Sequence, residues 1–412
     1  MNMETNLDNY LDDNTKYVLL VQPSFPIPTK SRNHYSFLPI GLLKIASYLR
    51  SKNIEVKLVN GGGQLDLYDS RRPDLICITS LFTYWSKYVK ESVNICRMLY
   101  QGVPIIIGGV YASLMPHHCN EWIAPDGIIT GVLHEVEYFE PAYDLVDVDF
   151  QIIHTTRGCI RNCNFCGVYQ VEPLWSYKKS IKDEIIYKKV IFYDNNILAN
   201  PYIENILNEL ILLKKQRKIN YLESQSGFDG RLLLDKPYLA KMLYEAGFKN
   251  PKIAWDHSLS DKNTIKQQIN LLTNGGYKNK QIGIFMIYNF EIPYEEMEQK
   301  RIQCFKWGVQ IMDCRFRPLT QTFDNYKPRK KHQTNKEYYI HPLWTDAQIK
   351  QFRRNVRRTN MCIRFGWNYW SYKFENKTYN AQEINEYNNM NYNKIKKNIK
   401  DLFNPLMVQE VG

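Results

Sequence analysis

Between Tyr17 and Arg317 the chain alternates apolar runs of strand length with longer stretches whose apolar residues recur at helical spacing. Strands joined by helical crossovers form parallel sheets, so this rhythm sets the fold class before any single residue does. Tyr17-Val18-Leu19-Leu20-Val21 is apolar throughout, the pattern of a strand buried on both faces, and it stops at Gln22-Pro23. A helix is expected over 39–49, a strand over 54–59, a strand from Pro73 to Ser80 and a helix from Tyr84 to Leu99. Pro104 to Gly109 and Asp126 to Gly131 add two more strands. The expectation for residues 15–137, after a polar tail at 1–14, is a doubly wound parallel sheet with its ligand crevice at the carboxyl ends of the strands. Ser80, Gly108, Gly109 and Ser113 fall at those ends, where small residues let a bulky ligand approach the backbone.

Residues 138–149 read as an acidic linker, and the alternation resumes at Phe150. Further strands end at Asp194-Asn195-Asn196, Glu223-Ser224-Gln225, Asp256-His257, Ile287 and Arg317. Asn200 is expected as a helix N-cap with Pro201 at the first helical position, and later helices over 237–246, 261–274 and 293–307. These units fit a partial (β/α)6 barrel over 150–325, with functional residues at the carboxyl ends of its strands.

Directly after the first strand of that region Cys159, Cys163 and Cys166 stand as Cys-x3-Cys-x2-Cys. Three soft sulfur ligands in one short loop suit an iron–sulfur cluster or zinc rather than disulfides. A structural zinc calls for a fourth ligand, and neither His154 nor His134 stands at a regular ligand spacing from the thiols. A cluster on three cysteines leaves one iron open to a small molecule, which is a catalytic arrangement. Cys77 lies in an apolar strand, and Cys96, Cys119, Cys304, Cys314 and Cys362 stand singly, as structural cysteines do.

With its spacing, Phe165 just before the last cysteine and a strand before the first, this loop resembles the signature of the radical S-adenosylmethionine (SAM) superfamily. The resemblance implies a [4Fe–4S] cluster on Cys159, Cys163 and Cys166, the amino and carboxylate groups of SAM on the fourth iron, and reductive cleavage to a 5′-deoxyadenosyl radical. It further implies that Asp194, with Asn195 and Asn196, meets the amino group of SAM, and that Glu223, Ser224 and Gln225 meet its ribose or carboxylate. Arg231 suits bidentate pairing with a carboxylate. The order of elements in 15–137 is similar to the Rossmann-like cobalamin-binding domain that precedes the barrel in one large class of these enzymes. Cobalamin is therefore an implied cofactor and cobalamin-dependent methyl transfer an implied reaction, with radical oxidation or bond formation without cobalamin as the alternative. The chain departs from the patterns of cobalamin proteins in two places. It has no Asp-x-His-x-x-Gly, His34 being the only histidine between the first strand and first helix. It also reads Gly131-Val132-Leu133-His134-Glu135-Val136-Glu137 where related sequences often show Gly-Glu-Gly-Glu. A small-molecule or peptide substrate and a reductant such as flavodoxin or ferredoxin complete the implied partners.

Asp256 and His257, beside Trp255 at a strand end, are candidates for substrate contacts or proton transfer, and Asn289 and Glu291 for the same cavity. Arg315 and Arg317 alternate with Cys314 and Phe316, so one pair points inward; an inward arginine suits an anionic substrate or a salt bridge. Residues 326–412 turn basic and Tyr-rich. Thr345 with Gln348 forms a capping box and Trp344 with Ile349 a hydrophobic staple. Ile349, Phe352 and Val356 then share one face, and Lys350, Arg353, Arg354, Arg357 and Arg358 make the rest basic. Trp367, Tyr369, Trp370, Tyr372 and Phe374 follow. With the net charge of +12, this extension admits a reading from another class, a nucleic-acid-binding protein with a structural metal loop. The preferred expectation is a mainly helical extension packed over the open side of the barrel. A polar, acidic start and no apolar run of about 20 residues fit a cytoplasmic chain without a membrane span.

Overall fold

The protein is an α/β chain, seen here as a computed structural model that describes residues 3–4, 6–27, 37–68 and 70–366. His34 and the aromatics from Trp367 to Phe374 lie outside the described residues. The first unit is a parallel sheet of β1 (Tyr17–Gln22), β2 (Glu55–Asn60), β3 (Leu75–Ser80), β4 (Ile105–Gly109) and β5 (Gly127–Ile129), in the order β2-β1-β3-β4-β5. The two-residue strand Met3–Glu4 pairs with Ile128 and Ile129 beside β5.

All six residues of β1 are buried, and its alternation explains why. Val18 and Leu20 pack into one core with Leu42, Ala46 and Leu49 of α1 (Ile40–Ser51). Leu19 and Val21 pack into the opposite core with Val89, Val93 and Cys96 of α2 (Ser86–Leu99). Helices therefore cover both faces, as an uninterrupted apolar strand requires. After β4 come α3 (Val110–Leu114) and α4 (Pro116–Ile123). The chain turns from one side of β1 to the other between β2 and β3, which opens a crevice outside the carboxyl ends of β1 and β3.

The second unit holds two three-stranded parallel sheets. In one, β6 (Gln151–Ile153), β7 (Lys189–Phe192) and β8 (Tyr221–Ser224) run in the order β8-β7-β6, with Phe192 in register with both Ile153 and Ser224. In the other, β9 (Lys252–Ala254), β10 (Gly283–Tyr288) and β11 (Gln310–Arg315) lie in chain order. Single parallel bridges, Leu222 to Phe248 and Phe228 to Ile253, join the end of β8 to the neighbourhood of β9. Besides the four-residue helical turn Val168–Val171, the helices are α5 (Ile203–Lys215), α6 (Gly230–Asp235), α7 (Leu239–Ala246), α8 (Lys262–Asn274) and α9 (Tyr294–Trp307). α5 starts later than the Asn200-Pro201 pair suggests. Asn200 still makes a capping bond just ahead of it, its side-chain oxygen accepting from Tyr202 N at 2.8 Å, while its amide donates to the carbonyls of Thr155 and Lys178.

α10 (Asp346–Phe365) begins with the expected capping box of Thr345 and Gln348. Its Ile349, Phe352 and Val356 join the core of the second unit, with Trp344. Lys350, read from sequence as part of a basic face, is instead buried, its Nζ bound to the carbonyl of Lys330 and the carboxylate of Asp346. On the opposite side Asn355 and Thr359 meet the buried Glu298–Arg301 pair of α9. Asn360 accepts from Ile311 N at 2.8 Å and donates to Ile311 O at 2.7 Å, on the outer side of β11. No described helix is long and apolar enough to cross a membrane.

Candidate functional site

The cysteine loop leaves the carboxyl end of β6, and its first residues are fixed before any thiol is reached. Register between Phe192 and Ile153, continued two residues along both strands, sets Asp194 beside Thr155. Asp194 Oδ1 accepts from the amides of Thr155 (2.9 Å) and Thr156 (2.7 Å) and from both hydroxyls (2.6 and 2.9 Å). The side chain is fully buried, and burial pushes its pKa above the ordinary carboxylate value against the pull of those four bonds. This aspartate therefore braces the loop; its Oδ2, buried without a hydrogen-bond partner, is all that remains for anything else.

Arg157 holds the next step. Its Nε and Nη2 donate to the two oxygens of Glu137, both at 2.8 Å, and its Nη1 to Glu172. Glu172 also accepts from Gly158 N at 2.8 Å and from the Asn195 side chain at 2.9 Å. Lys44 of α1 closes the chain of charges at 3.2 Å from Glu137, so the first unit grips the loop through alternating signs. Gly158 is required where it stands: its φ is +72°, and a Cβ there would lie 2.8 Å from the Leu174 carbonyl oxygen.

Cys159, Cys163 and Cys166 are free and partly exposed, turned by a bond from Cys166 N to Cys163 O. Burial raises the Cys163 pKa, and Cys166, Asp256 and Cys159 push it the same way while Arg231 opposes them. Burial likewise raises Cys166. The three thiols thus feel one another. Among the described residues, no three Cys, His, Asp or Glu side chains are gathered at metal-ligating spacing. The donor chemistry fits an iron–sulfur cluster, three soft thiols on a loop that carries Arg161 and faces Arg231, and binding requires the loop to draw its sulfurs together.

Those cations are tethered by Asp229, which accepts from Arg161 Nε (2.8 Å), Arg231 Nε (2.9 Å) and Asn196 (3.0 Å). Arg231 stays half-exposed. Asp256 is partly buried near Cys163 and Cys166; burial raises its pKa, against the pull of Lys300, His257 and Arg231. His257 is exposed, and its carbonyl, with that of Trp255, accepts from the buried Lys300, whose pKa burial lowers to about 8. Glu223 is engaged elsewhere: it pairs with Lys252 at 2.5 Å in a buried ion pair and takes the Tyr221 hydroxyl. Ser224 donates to Gly227 O. Asn289, buried, ties β10 to the carbonyls of Tyr339 and Phe316 and the amide of His341. Glu291 reaches Asn164 in the cysteine loop.

Two cavities flank the loop. One, of about 410 Å³, lies between Phe82, Tyr84 and Leu114 of the first unit, Phe165 within the cysteine loop and Val168 just after it, and the ends of β10 and β11. The other, of about 340 Å³, is the crevice at the carboxyl ends of the first sheet, and Ser80, Gly108 and Gly109 line it. Val110, Val171 and Glu172 line both. Ser80 Oγ is occupied by Gly108 O and Ala112 N, and Gly109 is demanded by the sheet itself, since a Cβ there would sit 2.2 Å from the Ser80 carbonyl oxygen. A crevice of this volume is of a size for a bound small molecule. A scan against known protein families finds no match to the chain, and a search of curated proteins finds none either.

Proposed function

We propose that this protein is a radical SAM enzyme acting on a small molecule in the chamber beside the cysteine loop. The observation that carries the reading is the Cys159, Cys163 and Cys166 loop at the carboxyl end of the first of six parallel strands met in chain order. We read β6 to β11 as a partial (β/α)6 barrel and β1 to β5 as a doubly wound, Rossmann-like sheet. When bound, a [4Fe–4S] cluster with SAM supplies reductive carbon–sulfur cleavage and a 5′-deoxyadenosyl radical, with the electron coming from a donor such as flavodoxin or ferredoxin.

The chain's own residues do the positioning. Asp194 and Glu172 fix Thr155, Thr156 and Gly158, so the loop enters from a rigid base while its thiols stay accessible. Asp229 holds Arg161 and Arg231, and Arg231 opposes the rise that burial and the neighbouring acids impose on Cys163. Asp256, its pKa raised by burial, stands near Cys163 and Cys166 as a candidate for proton transfer. The apolar walls of the chamber, Phe82, Phe165, Val168 and Ile287, keep water from a reactive carbon radical. Lys350 buried and α10 packed on α9 and β11 weigh against the nucleic-acid reading.

The test is anaerobic iron–sulfur reconstitution, iron analysis, and assay of 5′-deoxyadenosine after reduction with SAM. About four irons and 5′-deoxyadenosine that vanishes in Cys163→Ala support the reading. A zinc-loaded protein that leaves SAM intact sinks it.

A further inference from the structure

The chamber wall opposite the cysteine loop carries an excess of positive charge. Arg315 and Arg317, at the end of β11, share the single carboxylate oxygen Asp324 Oδ2, at 2.5 and 2.7 Å. Glu172, the other charged residue lining the chamber, belongs to the chain Lys44, Glu137, Arg157, Glu172, which is neutral in itself. The wall is therefore left with one unmatched guanidinium charge.

The geometry says where that charge is offered. Arg317 is held on three sides: Nε on Asp324, Nη1 on the Arg315 carbonyl, and its flat face 4.6 Å from the centre of the Tyr84 ring. Its side chain is still 30% exposed, and Nη2 is left for the chamber. Arg315 is only 4% exposed, lies 4.4 Å from the Tyr326 ring centre, and has a buried Nη1 with no hydrogen-bond partner. Asp324 Oδ1 is likewise buried without a partner, so the exposed edge of Arg317, rather than Arg315, is where this wall meets a ligand. The remaining lining is aromatic and aliphatic: Phe82, Phe165, Val168, Ile287 and Phe316.

We propose that the chamber is a subsite for a small monoanion, a flat apolar molecule carrying one carboxylate, with that carboxylate anchored on the free edge of Arg317. One surplus charge matches one carboxylate, and a pre-oriented planar guanidinium suits its geometry. A volume of about 410 Å³ sets the size class at small molecules rather than peptides. The substrate class rests on the radical-enzyme reading, but the binding site stands without it.

The test uses the full chain, without iron or SAM, and a panel of aromatic carboxylates, each beside its own carboxamide, in ligand-observed NMR and calorimetry. Carboxylates are expected to bind at least about tenfold more tightly than their amides. Arg317→Gln should erase that preference while leaving amide binding in place, and Arg317→Lys should restore part of it. Ile287→Trp, which fills the chamber and keeps the charges, should abolish both. Carboxylates that bind no better than amides, a preference that survives Arg317→Gln, or binding untouched by Ile287→Trp would each overturn the proposal. None of these results depends on 5′-deoxyadenosine formation, so failure here and failure of the radical chemistry are read separately.

Discussion

Replacing Asp194 separates its role as a brace from its charge. Asp194→Ala strands four donors at once, all buried: the amides of Thr155 and Thr156 and their hydroxyls. Hydroxyls can rotate toward other acceptors; the amides cannot. Two unsatisfied buried amides cost about 1–3 kcal/mol each, hence about 2–6 kcal/mol together. That is a large part of the about 5–15 kcal/mol that holds a typical protein folded. Asp194→Asn keeps an acceptor at the Oδ1 position and puts its amide group where Oδ2 has no partner, so its cost should stay under about 2 kcal/mol. The two variants also differ in pH dependence. The folded pKa of Asp194 is raised above 3.8, so the folded state holds the proton more tightly and this group's contribution declines as pH rises from 3.8 through the folded pKa. Asn has no proton to lose, so the gap between wild type and Asp194→Asn should be widest in acid and narrow as pH climbs. Urea unfolding of all three proteins across pH measures both effects. An alanine variant no less stable than the asparagine one, or a gap that widens with pH, would refute the reasoning.

Gly158→Ala forces a Cβ against the Leu174 carbonyl at a positive φ; it should cost about 1–3 kcal/mol and sharply lower the iron bound per chain on reconstitution. Glu172→Gln weakens the hold on Arg157 and Gly158, so iron retention under a chelator should fall while the melting temperature moves by only a few degrees. Lys300 has its pKa lowered by burial to about 8 from 10.5, so the unfolded chain binds its proton more tightly between those values. The stability it contributes should therefore rise over that pH window, and the difference between wild type and Lys300→Met in urea midpoint should grow there; a flat difference would deny the shift.

The first sheet was legible because β1 is uninterruptedly apolar and each later strand opens and closes on turn residues, signals that lie within a few neighbouring positions. The capping box at Thr345 was legible for the same reason. What could not be read depends on partners far along the chain. Glu137 meets Lys44 across 93 positions and Asp229 meets Arg161 across 68, and no local pattern announces either pairing. The oxygen of Asn200 accepts from Tyr202 N as its local pattern suggests, but nothing local announces that its amide ties down the distant carbonyls of Thr155 and Lys178. Lys350 shows the limit of a helical wheel: charge on one face says nothing of a carbonyl and a carboxylate waiting beneath it. The three cysteines were evident from spacing, whereas the surplus charge at Arg317 appears only once Asp324 is counted against two arginines.

Asn360 presents to Ile311 one donor and one acceptor, the same pair that a neighbouring strand would offer. β11 is the outer member of its sheet, so this amide works as a one-residue imitation of a missing strand. A chain cut before Asp346 would expose that rim together with the apolar ground under Ile349, Phe352 and Val356. Such a fragment should add strands to its own copies, and the terminal helix is then as much a guard against self-association as a part of the core.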